Sequence, residues 1–128
     1  MARILVAEDD ADVRVYALDI LTSAGHSVFT ADSGEEALAQ TLRSNYQLFD
    51  LLLTNLCMPK MNGIELLHQL HSTPNYQGLP AILMTKNLTP QDIATAKREG
   101  FVTTLNKNWG PPFFNEQELI EKIRKYVK

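Results

Sequence analysis

Short apolar runs alternate with apolar residues at helical spacing along the whole chain. Strands are predicted at Arg3–Ala7, Ser27–Ala31, Phe49–Thr54, Pro80–Thr85 and Phe101–Asn106. After each strand, apolar residues recur three or four positions apart, as they do on one face of an α-helix. Five such alternations predict an α/β fold with a parallel sheet and helices on both of its faces. Continuous apolar runs in the strands, rather than alternating ones, also favour a sheet covered on both faces.

Local signals mark the ends of the predicted helices. Asp10 is expected to cap the first helix, and Gly25 is expected to end it. Ser33 and Glu36 are spaced as a capping box for the second helix, which should run to about Arg43. The later helix signals are Thr89 with Pro90, Gly100 and Asn115.

Polar side chains collect where the predicted strands end. Glu8 and Asp9 follow the first strand, Asn55 ends the third, Thr85 ends the fourth and Lys107 follows the fifth. Because parallel strands end at one edge of a sheet, these side chains should converge there. Adjacent carboxylates suit a hard cation such as Mg²⁺, and a hydroxyl with an ammonium group suits phosphoryl oxygens.

Length, charge and cysteine content narrow the class of protein. The 128 residues are enough for a single domain, residues 1–128. A formal net charge of -3 gives no support to nucleic-acid binding, and no apolar run approaches membrane-spanning length. Cys57 is the only cysteine, so we expect no internal disulfide and a cytoplasmic location. Its thiol is expected to be a small buried apolar group.

Four motifs in order resemble the receiver domain of response regulators in two-component signalling. They are "ILVAEDD", "DLLLTNLCMPKMNG", "ILMT" and Lys107, and the resemblance extends over nearly the whole chain. It implies a flavodoxin-like (βα)5 fold, doubly wound, with a five-stranded parallel sheet in the order 2-1-3-4-5. It also implies a signalling module rather than an enzyme.

The resemblance assigns a role to each polar residue at the strand ends. Glu8, Asp9, the backbone carbonyl of Cys57 and the side chain at position 55 would hold Mg²⁺. Thr85 would be the switch hydroxyl, and Lys107 would contact the phosphoryl group. Position 55 would be the phospho-acceptor, which is an aspartate in the family but Asn55 in this chain.

Asn55 changes the expected chemistry. An acyl phosphate forms at an anionic carboxylate oxygen, and an amide oxygen carries no formal charge and is a poor nucleophile. We therefore expect no phosphorylation at Asn55 and weak or absent Mg²⁺ binding. The chain would act through contacts with a histidine kinase or another signalling protein, without binding nucleic acid or membrane directly. A homodimer through the face of the fourth helix, fifth strand and fifth helix is one option that the resemblance leaves open.

Two origins of Asn55 remain open from the sequence. The chain is either a divergent pseudo-receiver or an ordinary Mg²⁺-dependent phospho-accepting receiver whose aspartate was changed. Divergence is favoured because Lys86, Thr104 and Asn108 also depart from the family pattern, and because residues 108–115 form an unusually long, apolar loop. A flavin site is rejected, since the acidic loop "AEDDAD" after the first strand would repel a phosphate group.

The remaining candidates are histidines and aromatic residues. His68 and His71 lie three positions apart on a predicted helix, but they are expected to be surface residues without a metal. Trp109, Phe113 and Phe114 have two interpretations. They belong either to the core beneath the last helix or to an apolar patch for a partner.

Overall fold

Five strands and five α-helices alternate in the computed structural model, which describes residues 1–43 and 47–127. The strands are β1 (Arg3–Ala7), β2 (Ser27–Ala31), β3 (Leu51–Asn55), β4 (Ala81–Lys86) and β5 (Thr103–Lys107). The helices are α1 (Ala11–Ser23), α2 (Gly34–Arg43), α3 (Gly63–His71), α4 (Pro90–Arg98) and α5 (Glu116–Tyr126), with a short 3₁₀ turn at Pro74–Tyr76. None of the helices in the described ranges combines the length and apolarity that crossing a bilayer requires.

All neighbouring strands of the sheet are parallel, in the order β2-β1-β3-β4-β5. This confirms the flavodoxin-like fold. The register places Asn55 beside Met84, and it places Lys86 beside Lys107. The carboxyl ends of the central strands therefore lie level with one another, at one edge of the sheet.

The predicted bounds of the last three strands were wrong by one or two residues. The segments predicted as 49–54, 80–85 and 101–106 are strands at 51–55, 81–86 and 103–107. Phe49 and Phe101 precede their strands, although both side chains are only 4% exposed. Their apolarity reflects burial in the core rather than strand pairing. At the other end, pairing with neighbouring strands continues through Asn55 and Lys107.

The sheet separates two hydrophobic cores. Leu5 and Leu52 point to the side of α2, α3 and α4, where Leu67 is fully buried. The strand residues on either side of them, such as Ile4 and Leu53, point to the side of α1 and α5. Both sets of side chains are removed from water, which explains why these strands are continuous apolar runs.

Most of the predicted helix-end signals are present as hydrogen bonds or backbone angles. Asp10 accepts from the backbone of Asp12 at 2.9 Å, and Thr89 forms a capping box with Asp92. Gly25 and Gly100 adopt φ of +95° and +104°, a region that disfavours other residues. Ser33 Oγ accepts from Glu36 N, and Asn115 Oδ1 accepts from Glu118 N.

The turn between β3 and α3 brings the two backbones unusually close together. A Cβ atom at Gly63 would clash with the backbone oxygen of Asn55, so only glycine fits without a shift. Asn62 and Glu65 form a capping box that starts α3, and Met58 is 8% exposed and packs into the core below. The segment from Met58 to Gly63 therefore sets the path of the backbone between Asn55 and the start of α3.

The aromatic residues after β5 divide between the two interpretations. Phe114 is 1% exposed, and its ring packs edge-on against Tyr16 of α1 with centroids 4.9 Å apart. Phe113 is partly buried beside the same tyrosine. Trp109 is 74% exposed and lies outside both cores. The core interpretation holds for the two phenylalanines and fails for the tryptophan.

Substitution of Gly63 should strain the turn next to Asn55. Gly63→Ala is expected to lower the free energy of unfolding by about 1–3 kcal/mol, because the new methyl group must displace backbone. Gly78→Ala is the control, since no atom lies within 4 Å of its added Cβ and its φ is not positive. Urea denaturation of both variants measures the difference, and equal effects would contradict the steric argument.

Phe114 and Trp109 should contribute very differently to the free energy of unfolding. Phe114→Ala is expected to lower the free energy of unfolding by about 3–5 kcal/mol, since it empties a buried aromatic site. Trp109→Ala should change it by less than about 1 kcal/mol, because the ring is mostly in water. Thermal and urea denaturation test this, and a comparable loss in both variants would show that Trp109 is also a core residue.

Candidate functional site

An open pocket of about 430 Å³ lies at the carboxyl edge of the sheet. Its wall contains all six residues predicted for the site: Glu8, Asp9, Asn55, Cys57, Thr85 and Lys107. The rest of the wall is formed by Asp10, Lys86, Asn87 and Trp109. The strand ends thus bring together residues that are up to 99 positions apart in the chain.

Glu8 and Lys107 form a buried ion pair across the floor of the pocket. Lys107 Nζ donates to Glu8 Oε1 at 2.5 Å, and the two side chains are 3% and 0% exposed. The second carboxylate oxygen of Glu8 accepts from the backbone N–H of Asp10 at 3.1 Å. Both oxygens of Glu8 therefore have donors within the chain.

The two acidic residues have pKa values displaced in opposite directions. Burial raises the pKa of Glu8, and the hydrogen bond from Lys107 offsets part of that rise. Burial acts in the same direction on Asp9, but hydrogen bonds to Glu8, to its own backbone and to Asn55 outweigh it, so the pKa of Asp9 is lowered. Asp9 is consequently the carboxylate of this pair that is more readily ionised.

The side chain of Asn55 bridges two loops. Its Nδ2 donates to Asp9 Oδ1 at 3.1 Å and to the backbone oxygen of Cys57 at 2.8 Å. An ionised carboxylate and a carbonyl can only accept hydrogen bonds, so the nitrogen rather than the oxygen of the amide must face them. Asn55 is 7% exposed, which places this amide in the floor of the pocket.

The remaining predicted residues also have defined positions. Thr85 lies near the end of β4 and is 8% exposed, with its side chain in the wall of the pocket. Cys57 directs its carbonyl toward Asn55, but its thiol is exposed, so the expectation of a buried thiol was wrong. Cys57 lies in the loop between β3 and α3 and lines the open pocket, so it is not enclosed by the core.

Lys86 and Trp109 form part of the wall that the sequence did not predict. The ammonium group of Lys86 lies 3.9 Å from the centroid of the Trp109 ring, within the range of a cation–π contact. The sequence held a signal for their place in the pocket wall, because Lys86 directly follows the predicted site residue Thr85 and Trp109 comes two positions after Lys107. Strand pairing places Lys86 next to Lys107, and this contact across strands is not visible in local sequence.

The two histidines of α3 have separate partners. His68 Nε2 lies 2.9 Å from a carboxylate oxygen of Glu99, and His71 Nε2 lies 3.0 Å from the backbone oxygen of Leu79. Within the described residues, no group of three or more His, Cys, Asp or Glu side chains is arranged to hold a metal ion.

Comparisons with known proteins converge on one family. The sequence model described as the response regulator receiver domain matches residues 4–124. A response regulator receiver protein of Anaeromyxobacter sp. (strain Fw109-5) is 35% identical over 107 residues. The transcriptional regulatory protein CpxR of Klebsiella pneumoniae subsp. pneumoniae (strain HS11286) is 32% identical over 128 residues.

The matches cover most of this chain but only part of each longer relative. The match takes in 84% of the present chain but 43% of the Anaeromyxobacter protein, and 100% of the chain but 50% of CpxR. The chain therefore spans half or less of the length of these two relatives.

A solved structure has the same fold over its full length. The chemotaxis response regulator CheY4 of Vibrio cholerae matches this chain with a TM-score of 0.86 and 28% identity, and 99% of each chain is covered.

The buried ion pair makes a prediction that depends on pH. Lys107→Met is expected to lower the free energy of unfolding at pH 7 by about 3–5 kcal/mol, because it leaves the Glu8 carboxylate buried and unpaired. The pKa of Glu8 is already raised above its ordinary value of 4.5, and loss of the Lys107 hydrogen bond should raise it further. A raised carboxyl pKa contributes stability that is present below the unfolded pKa and lost as pH rises through the folded one.

The deficit of the variant should therefore be smaller at about pH 5 than at pH 7. Arg43→Met is the control, since Arg43 pairs with Glu36 at 3.2 Å with both side chains exposed, and this pair should contribute less than about 1 kcal/mol. Urea denaturation of both variants at each pH measures the two effects. If the loss in free energy of unfolding caused by Lys107→Met did not change with pH, the ionised Glu8 carboxylate would not be its source.

Proposed function

We propose that this chain, which belongs to the response regulator receiver domain family, is a signalling module that works without phosphorylation at position 55. One observation carries the proposal. The side chain at the end of β3 is a carboxamide, and its nitrogen is bound to Asp9 and Cys57 in the floor of the pocket. The resemblance implies a phospho-accepting aspartate at this place.

The chemistry of the amide supports a module that does not accept phosphate. Attack on phosphorus needs an electron-rich anionic oxygen, and the oxygen of Asn55 is neutral. The amide occupies nearly the same volume as a carboxylate, so the fold and the neighbouring Lys107 and Thr85 are retained. The proposed module keeps the shape of a receiver site and lacks its nucleophile.

The alternative is an ordinary phospho-accepting receiver in which only the acceptor aspartate was changed, and the retained residues around Asn55 are its basis. The Glu8–Lys107 pair is intact, and Thr85 remains in the wall of the same pocket. An ordinary receiver whose acceptor aspartate was changed to Asn55 would have this arrangement. The departures at Lys86 and Trp109, which contact each other at the mouth of the pocket, support natural divergence instead.

Receiver domains typically bind Mg²⁺ at the acceptor site. The donor set of this chain does not fit that ion as arranged. Both oxygens of Glu8 have donors, and Asn55 presents N–H groups rather than an oxygen toward Asp9 and the Cys57 carbonyl. Because a hard cation requires oxygen ligands, we propose that Mg²⁺ binds weakly or not at all.

Signalling would then take place through surface contacts in the cytoplasm. The exposed apolar side chains Ile93 on α4 and Trp109 after β5 are candidates, with exposures of 48% and 74%. Exposed aromatic side chains are frequent anchors of protein interfaces. We propose a histidine kinase or another signalling protein as partner, with a homodimer through the α4–β5–α5 face as the other option. Residues 1–128 would act as one domain in either case.

Restoring the acceptor tests the proposal directly. The chain and its Asn55→Asp variant are incubated with acetyl phosphate and Mg²⁺, and a phosphoryl adduct is sought by intact-mass and peptide mass spectrometry. We expect no adduct on the wild type and an adduct at position 55 of the variant, because only a carboxylate can form the acyl phosphate.

Asn87→Asp is the matched control, since Asn87 lines the same pocket and the substitution adds the same charge. It should gain no phosphoryl group. An adduct at Asn55 of the wild type would refute the proposal. No adduct on Asn55→Asp would leave the wild-type proposal standing and exclude the alternative of a single changed residue.

A further inference from the structure

We infer that the carboxamide of Asn55 takes the place of a divalent cation, so that the pocket is held together without metal. The inference rests on the proposed function in treating this pocket as a receiver-type site. It goes further by naming the group that replaces the ion and by making the stability of the chain independent of Mg²⁺.

The first argument is the match between donors and acceptors. The amide nitrogen has two N–H groups, and it contacts two oxygens, Asp9 Oδ1 at 3.1 Å and Cys57 O at 2.8 Å. Asp9 lies between β1 and α1, and Cys57 lies between β3 and α3. One side chain therefore joins two loops through a carboxylate and a carbonyl, the kinds of oxygen that a hard cation would join.

The second argument is electrostatic. Glu8 and Asp9 are adjacent acids, and the carbonyl of Cys57 adds a further negative partial charge at the same point. Lys107 neutralises Glu8, and the positive end of the Asn55 amide dipole faces Asp9. These acceptors have donors supplied by the chain itself, which offset part of the negative charge that a cation would otherwise meet.

Binding of a cation would have to undo this arrangement. The ion would displace both hydrogen bonds of Asn55 Nδ2, and the amide would have to rotate to offer its oxygen. Metal binding therefore competes with an internal contact, and the low affinity follows from that competition as well as from the missing charge. This distinction separates the inference from a simple loss of one carboxylate.

The test compares the wild type with Asn55→Asp, Asn55→Ala and the control Asn87→Asp. Mg²⁺ binding is measured by isothermal titration calorimetry. Melting temperature is measured in EDTA and in about 10 mM Mg²⁺ at constant ionic strength, because a ligand of the folded state stabilises it by mass action. We expect the melting temperature of the wild type and of Asn87→Asp to change by less than about 1 °C on addition of Mg²⁺.

Asn55→Asp should be less stable than the wild type in EDTA, and Mg²⁺ should restore its stability. Its Mg²⁺ affinity should exceed that of the wild type by at least about tenfold, because a third acid replaces a competing donor. Asn55→Ala separates competition from charge. It removes a possible oxygen ligand but frees Asp9 and Cys57, so its Mg²⁺ affinity should rise about threefold and its stability in EDTA should fall.

Several results would overturn the inference. One is a wild type that Mg²⁺ stabilises as strongly as it stabilises Asn55→Asp. Others are an Asn55→Ala variant as stable as the wild type in EDTA, or one that binds Mg²⁺ less tightly than the wild type. The wild-type measurement needs no substitution, and a rise of several degrees in its melting temperature on addition of Mg²⁺ would overturn the inference even where a variant does not fold. None of these results depends on phosphoryl transfer, which tests the proposed function separately.

Discussion

The buried ion pair between Glu8 and Lys107 is the interaction around which the pocket is built. It joins the loop after β1 to the last residue of β5, and β3 and β4 lie between these two strands in the sheet. Each charge would be costly to bury alone, so each one requires the other at contact distance. That requirement fixes the level at which the strands end, and it brings Asn55 and Thr85 into the same pocket.

The second acid of the pocket, Asp9, has a partner of a different kind. Glu8 is matched by a full positive charge, whereas Asp9 is matched by the dipole of the Asn55 amide. The two acids consequently have displaced pKa values of opposite sign, raised for Glu8 and lowered for Asp9. Two adjacent acids of one pocket thus differ in how readily they ionise, because their burial and their hydrogen-bond partners differ.

A contact between the connections that follow β4 and β5 borders the pocket. Lys86 extends from the end of β4 and rests on the ring of Trp109, which follows β5. Asn106 of β5 also accepts a hydrogen bond at 2.9 Å from the backbone N–H of Leu88, which follows β4. The cation–π contact links the largely exposed indole ring to the end of β4.

The sequence by itself determined the five strands, the caps of the helices and the convergence of the polar residues. Each of these follows from local physics: continuous apolar runs in strands covered on both faces, side-chain oxygens that cap a helix, and parallel strands that end at one edge. The tertiary structure alone decided where β3, β4 and β5 end, that Phe114 is buried while Trp109 and the Cys57 thiol are exposed, and which atom of Asn55 faces Asp9. Such features depend on partners that are distant in the chain, such as Asp9 for Asn55, 46 positions away, and Tyr16 for Phe114, 98 positions away. Their contacts are set by packing and leave no local pattern in the sequence.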